Sequence, residues 1–212
     1  MKFICAKSVF FIAILVSGFF AWQCSYVRQA QNAMLNLQRC QFKLQNISGF
    51  HIAGVDFSDK SSLGDFSLLG DGGRLAGAFA SHSLPADFTV NVQATNPNDG
   101  SGNTPNINAT LVSLPWTLLI DDKPTISGDI EQKIVIPGKG QSTVIPFPMH
   151  LDLYQFFGDK SYEDMVNLAL AIGGKQGSAA RLVLRGTPHI STPIGDISYP
   201  QPIDIVSKEY RN

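Results

Sequence analysis

Charge is scarce in this sequence. Asp, Glu, Lys and Arg make up 16% of the 212 residues, where about 25% is ordinary for a globular chain. The signs nearly cancel, 16 basic against 17 acidic residues, for a net charge of −1. No basic surplus is left to neutralise phosphates, so no nucleic-acid partner is expected. Cysteine is also scarce: Cys5, Cys24 and Cys40 are the three. None stands in a C-x-x-C pair, so the spacing of a structural zinc site is missing. The four histidines, His51, His82, His150 and His189, show neither H-x-x-x-H nor H-E-x-x-H spacing. There is no G-x-S-x-G nucleophile elbow. Gly70-Asp71-Gly72-Gly73 is followed by no G-K-S/T and is not a phosphate loop. These absences lead to an expectation of no enzyme activity, no cofactor and no metal.

What is present begins with a separate N-terminal object. Lys2 and Lys7 precede 20 charge-free residues, Ser8 to Val27. A run of that length is an export signal or can span a membrane as a helix. The positive end would stay in the cytoplasm, with the rest of the chain outside. Three outcomes fit the residues. Val16-Ser17-Gly18 offers an early cleavage site, the run can remain as an uncleaved anchor, or Cys24 at its end can carry a lipid. The last two tether the domain to a membrane. We assign 1–24 to signal or anchor and 25–39 to a short helical connector. Val27, Ala30, Met34 and Leu37 recur there at helical steps. Cys24 and Cys40 could form one disulfide in an oxidising compartment, or Cys40 could be a small buried apolar residue.

From residue 40 to 212 the pattern is that of one domain. The 44% hydrophobic content is too high for a disordered chain. Phe42 and Leu44 alternate with polar residues, then Phe50, Ile52, Val55 and Phe57 follow, with Gly49 and Gly54 where the alternation slips. Leu75 to Ser83 reads as a short helix. Phe88, Val90, Val92 and Ala94 face one way and Thr89, Asn91, Gln93 and Thr95 the other, as in a half-buried strand. Further strands are expected at Ile107–Leu111, at Trp116–Ile120 as a bulged or edge strand, and at Thr125–Ile136. A long one follows, with Thr143, Ile145, Phe147, Met149, Leu151 and Leu153 on one face. Pro146 and Pro148 bar it from a central place along its whole length. Tyr154 to Ile172 reads as one inserted helix. Strands return at Arg181–His189, Ile194–Tyr199 and Ile203–Val206. About eight strands and one long helix predict an all-β fold, a two-sheet antiparallel β-sandwich of the immunoglobulin or fibronectin III kind.

A few residues could carry more than structure. His150 and Asp152 share the outward face of a strand, a potential half of a metal site. Asp121-Asp122 is a carboxylate pair in a turn. Gly70–Gly73 before a helix could form an anion nest. An apolar groove between the 154–172 helix and a sheet could hold a lipid-like ligand or a client segment. Asn46-Ile47-Ser48 and Asn108-Ala109-Thr110 fit the N-glycosylation pattern, which matters only in a eukaryotic secretory route. In each case the plain reading, a solvated or packed side chain, is the simpler one.

Asn96-Pro97-Asn98 ends the strand that begins at Phe88. Pro97 fixes its own φ and pushes Asn96 to an extended conformation. The asparagine side chains can bond nearby backbone groups, so the triplet terminates a strand. The stretch Phe88 to Asn98 resembles the signature of group 2 late-embryogenesis-abundant proteins, whose domain is also called the water-stress and hypersensitive-response (WHy) domain. The match continues in order through Leu118 to Asp122, Ser127-Gly128, Ile136 to Gly140 and Thr143 to Phe147, within a core of 86–157. The signal, the cysteine and the step Ile52-Ala53-Gly54-Val55 are similar to those of bacterial lipoprotein-type members. Ala21-Trp22-Gln23 before Cys24 departs from their pattern.

The resemblance implies a non-enzymatic, membrane-tethered domain on the extracytoplasmic side of a cell envelope. Its implied role is structural, or protection against desiccation and envelope stress. Asn96, Pro97 and Asn98 are its structural motif and Cys24 its lipidation residue. The partners expected are the membrane, through the N-terminal segment, and protein clients. The alternative is an extracytoplasmic binding module for a partner protein or an apolar ligand.

Overall fold

The computed structural model describes residues 40–97, 99, 108–130, 132–173, 181–192 and 195–206. The segment 1–39, with the apolar run, Cys24 and the connector, lies outside them, as do Asn98 and Ile107. Among the described residues no helix is long and apolar enough to cross a membrane.

The first layer is an antiparallel sheet in the order β2-β1-β3-β8. β1 (Gln41–Ile52) and β2 (Val55–Asp56) form a hairpin, and β3 (Pro85–Thr95) lies between β1 and β8 (Ser142–Asp152). Period-2 alternation places Ala86, Phe88, Val90, Val92 and Ala94 of β3 inward, all buried. Ile145, Phe147, Met149 and Leu151 of β8 face the same way. β8 is the sheet's edge strand, which suits Pro146 and Pro148, because neither can donate to a further neighbour. Gly49 falls where the β1–β3 register shifts between Ser48 and His51, a bulge at positive φ. Gly54, at the second slip of the alternation, is not a bulge. With Ala53 it forms the two-residue turn between paired Ile52 and Val55, both at positive φ.

The second layer is built from two four-stranded sheets laid end to end. One is β11-β10-β4-β7 and the other β12-β9-β5-β6. β4 (Ala109–Ser113) and β5 (Pro115–Ile120) are separated only by Leu114. β9 (Leu182–Gly186) and β10 (His189–Thr192) are separated by Thr187-Pro188. β6 (Lys123–Asp129) and β7 (Ile134–Ile136) flank one side, and β11 (Gly195–Ser198) and β12 (Ile203–Val206) the other. Twelve strands are therefore described where the sequence pattern suggested about eight. The extra ones arise at the Ala53-Gly54 turn, which splits off β2, and at this seam, where the expected Thr125–Ile136 and Arg181–His189 strands each become two. Leu114 and Ile130 exchange backbone hydrogen bonds of 3.2 and 3.3 Å there, and Thr187 N–H donates to Pro115 O at 2.9 Å. The expected Thr125–Ile136 strand breaks at the same place. β5 is bulged, its register with β6 shifting between Thr117 and Leu119, and is not an edge strand, since β6 and β9 pair with it on both sides. Pro115 is tolerated because it opens the strand. Trp116 meets Phe147 of the first layer edge-on at 6.0 Å, within one continuous core.

Helices close one end. α1 (Asp71–Ala80) starts earlier than expected. The expected 154–172 helix is two, α2 (Leu153–Phe157) and α3 (Tyr162–Ile172). Gly158 ends α2, and a Cβ there would come within 2.6 Å of Tyr154 O. Ser161 then caps α3, its side chain accepting from Asp164 N–H. Met165, Leu168, Ala169 and Ile172 on α3 are buried as the helical pattern implied.

Candidate functional site

Asn96 is the one buried polar residue among the described residues, at 0% exposure. It sits where the apolar alternation of β3 stops. Its N–H donates to Gln141 O at 3.3 Å, and Gly140 N–H donates to its carbonyl at 2.9 Å. Its side-chain Nδ2 donates to Ile136 O at 3.3 Å. Gly138 N–H donates to Asn108 Oδ1 at 3.2 Å. The turn between β7 and β8 holds Lys139 and Gly140 at positive φ. Asn96 thus ties the end of β3 and the start of β8, in the first layer, to β7 in the second. Pro97 is exposed next to it.

The other sequence-flagged polar residues lie apart. His150 and Asp152 do not form a dyad. Asp152 accepts from Ser83 Oγ at 2.9 Å and from the N–H groups of Leu84 and Tyr154 at 2.8 and 2.9 Å, fixing the turn into β3 and the start of α2. His150 instead contacts Asp87 across the sheet through Nδ1. Asp87 is also the register partner of His51, and His51 of Asp56. The outward face therefore carries a row Asp56–His51–Asp87–His150 across all four strands. No spacing in the sequence signals it, because only register brings these residues together. The ring of His51 places Nδ1 at 2.9 Å from Gly49 O, and since a carbonyl can only accept, Nδ1 carries the proton. The Ser58 hydroxyl and N–H hold the Asp56 carboxyl below its ordinary range. Among the described residues no group of three His, Cys, Asp or Glu side chains is placed to hold a metal ion. His82 stacks on Tyr154 at 4.9 Å, and His189 Nε2 lies 3.5 Å from Ser198 Oγ.

Asp121 and Asp122 form the turn between β5 and β6, both at positive φ. Arg181 closes over them. Its N–H donates to Asp121 Oδ1 at 3.0 Å, and its guanidinium to Asp122 at 3.0 and 3.2 Å. Before α1, the N–H groups of Gly70 and Gly72 both donate to Ser67 O, so two donors an anion would need are already engaged. A Cβ on Gly72 or Gly73 would stand 3.0 or 2.8 Å from the carbonyls of Ser67 and Leu68, which is why glycine serves there. Between α3 and the first layer the packing leaves an apolar cavity of about 10 Å³, bordered by Ile52, Leu75, Leu84, Leu153, Met165 and Ala169. That is about the room of a single water. Burial pushes the Cys40 thiol up to about 11, so little thiolate exists at neutral pH.

No family model matches the chain. No curated protein matches it either. Solved structures do show similarity. One is the solution structure of a candidate late embryogenesis abundant (LEA) protein, 15% identical, with a TM-score of 0.37 over 91% of this chain and 85% of that one. A crystal structure of a protein from Archaeoglobus fulgidus is 8% identical, with a TM-score of 0.28 over 58% of this chain and 86% of that one. The X-ray structure of a structural-genomics target is 8% identical, with a TM-score of 0.35 over 83% of this chain and 92% of that one. At such identities and TM-scores none of them assigns this chain a family, a substrate or a partner.

Proposed function

We propose that the protein is a non-enzymatic β-sandwich, tethered to a membrane through residues 1–24, that stands on the extracytoplasmic side and protects envelope components during water stress. The observation that carries this reading is the 86–157 segment. Its WHy-like sequence parts fall in order on β3, on the β5–β6 turn, and on β7, the Pro-Gly turn and β8. Asn96 from the signature holds three of those parts together. The domain then acts through its surface. Lipidation at Cys24 is the form of tether we favour over an uncleaved helix, since the residues that resemble lipoproteins place a cysteine there.

The test has two arms. The protein should sediment with membranes, and Cys24→Ser should change its mature mass. The full chain should also preserve an enzyme that loses activity on drying, and alanine at His51, His82, His150 or His189 should leave that protection intact. Recovery of the wild-type chain as a soluble secreted protein would overturn the tether. A single saturable partner without broad protection would replace the stress role with that of a binding module.

A further inference from the structure

The helical end of the sandwich carries two leucines in full contact with solvent. Leu68 is 88% exposed and Leu69 is 103% exposed, as open as in an extended peptide. They are the two corner residues of a tight turn, closed by Gly70 N–H donating to Ser67 O at 3.1 Å. The turn has a firm base. Phe66 before it is buried and packs on Phe57 at 5.0 Å, and Gly72 N–H returns to Ser67 O at 2.9 Å. Two leucines are thus held on a convex tip whose loop is already ordered, so little entropy opposes their burial.

The surroundings suit one kind of partner. Lys60 pairs with Asp71 at 3.2 Å, and the Asp65 carboxylate accepts from the N–H groups of Ser61 and Ser62 at 2.7 and 2.9 Å. Lys60, Asp65 and Asp71 are therefore engaged within the protein. Along α1, the exposed positions Gly73, Ala76, Gly77 and Ala80 are small and uncharged, with Arg74 the one charge among them. Half-buried Tyr162 reaches Gly72 O with its hydroxyl at 3.4 Å, and Phe79 packs between Tyr162 and Tyr154. The Tyr162 ring behind an apolar tip matches the interface of a bilayer, where rings sit at the headgroup level and aliphatic chains lie deeper. A soft interface takes a protruding tip without a shaped pocket. Glu163 and Asp164 are exposed on the first turn of α3, next to the Tyr162 that reaches Gly72, which disfavours anionic lipid.

We propose that the Leu68–Leu69 turn is a membrane-docking tip that inserts into the surface of a zwitterionic bilayer. It lies at the Ile52 end of β1, whereas the tether leaves at Cys40, the other end. The domain would then have two membrane contacts at opposite ends. The proposal rests on the chemistry of the tip and not on the tether of the proposed function.

The experiment uses the full chain with Leu69→Trp as a fluorescent reporter, in a Trp22→Phe background, mixed with phosphatidylcholine vesicles with and without brominated acyl chains. Insertion predicts a blue shift together with bromine quenching. Adding Leu68→Asp should lower the inserted-to-free ratio about tenfold or more. An emission unchanged by vesicles overturns the proposal. So does a blue shift without bromine quenching, which would mean that a protein surface, such as a second copy, covers the tip. Flotation with the vesicles after an alkaline carbonate wash reads the tether separately. Loss of flotation with quenching retained before the wash counts against the tether alone.

Discussion

Asn96→Ala removes the amide that donates to Ile136 O and leaves the backbone bonds to Gln141 and Gly140 in place. Asn96 is 0% exposed, so water cannot replace the lost donor. A buried carbonyl left unpaired costs about 1–3 kcal/mol. For a chain of this size, about 2 kcal/mol lowers the melting temperature by roughly 4–8 °C. Asn96→Asp should be worse, because a carboxylate has no donor for Ile136 O and its charge would be buried. Gln93→Ala, on the outward face of the same strand, is the control and should stay within about 0.5 kcal/mol of wild type. Urea unfolding followed by the fluorescence of Trp116 ranks the three. The expected order of stability is Gln93→Ala, then Asn96→Ala, then Asn96→Asp. Equal midpoints for Gln93→Ala and Asn96→Ala would refute the claim that Asn96 holds the two layers together at this end.

Val92 is 0% exposed at the centre of β3, so Val92→Asp should leave the domain unfolded while Gln93→Asp folds. Circular dichroism and thermal melts check this, and equal melting temperatures would sink the facing of β3. Acid should also weaken the fold. Hydrogen bonding and charge from Arg185 hold the Asp204 carboxyl below its ordinary range, and the N–H groups of Ser61 and Ser62 do the same for Asp65. A lowered folded value means that the folded state binds fewer protons. Its contribution is present above the unfolded carboxylate value of about 3.9 and is lost as pH falls through the lower folded values. The urea midpoint should therefore drop below about pH 4, and less steeply in Arg185→Gln. An identical acid slope in that variant would remove the Asp204 pair from the account.

Much of the sandwich was legible along the chain. Side chains alternate faces with a period of two in a strand, so the apolar members of β3 and β8 could only point into one core. The prolines of β8 marked an edge, and Asp121-Asp122 and Pro137 to Gly140 marked turns. The single 154–172 helix was misread because its apolar stripe runs on across Gly158. The short signals there, a glycine and the Ser161 cap with Asp164 three residues on, outweigh that stripe.

The sequence by itself determined which faces of β3 and β8 are buried and where several turns fall, because alternation and turn chemistry are local and periodic. Tertiary structure alone decided which strands pair, where the second layer breaks, and which side chains meet. The bond from Asn96 to Ile136 spans 40 positions, and the Asp56–His51–Asp87–His150 row joins four strands by register. Pairing is set by long-range packing of whole faces, so no local pattern records it. The same holds for Leu68 and Leu69, whose residue types suit a core and which only the folded loop places in solvent.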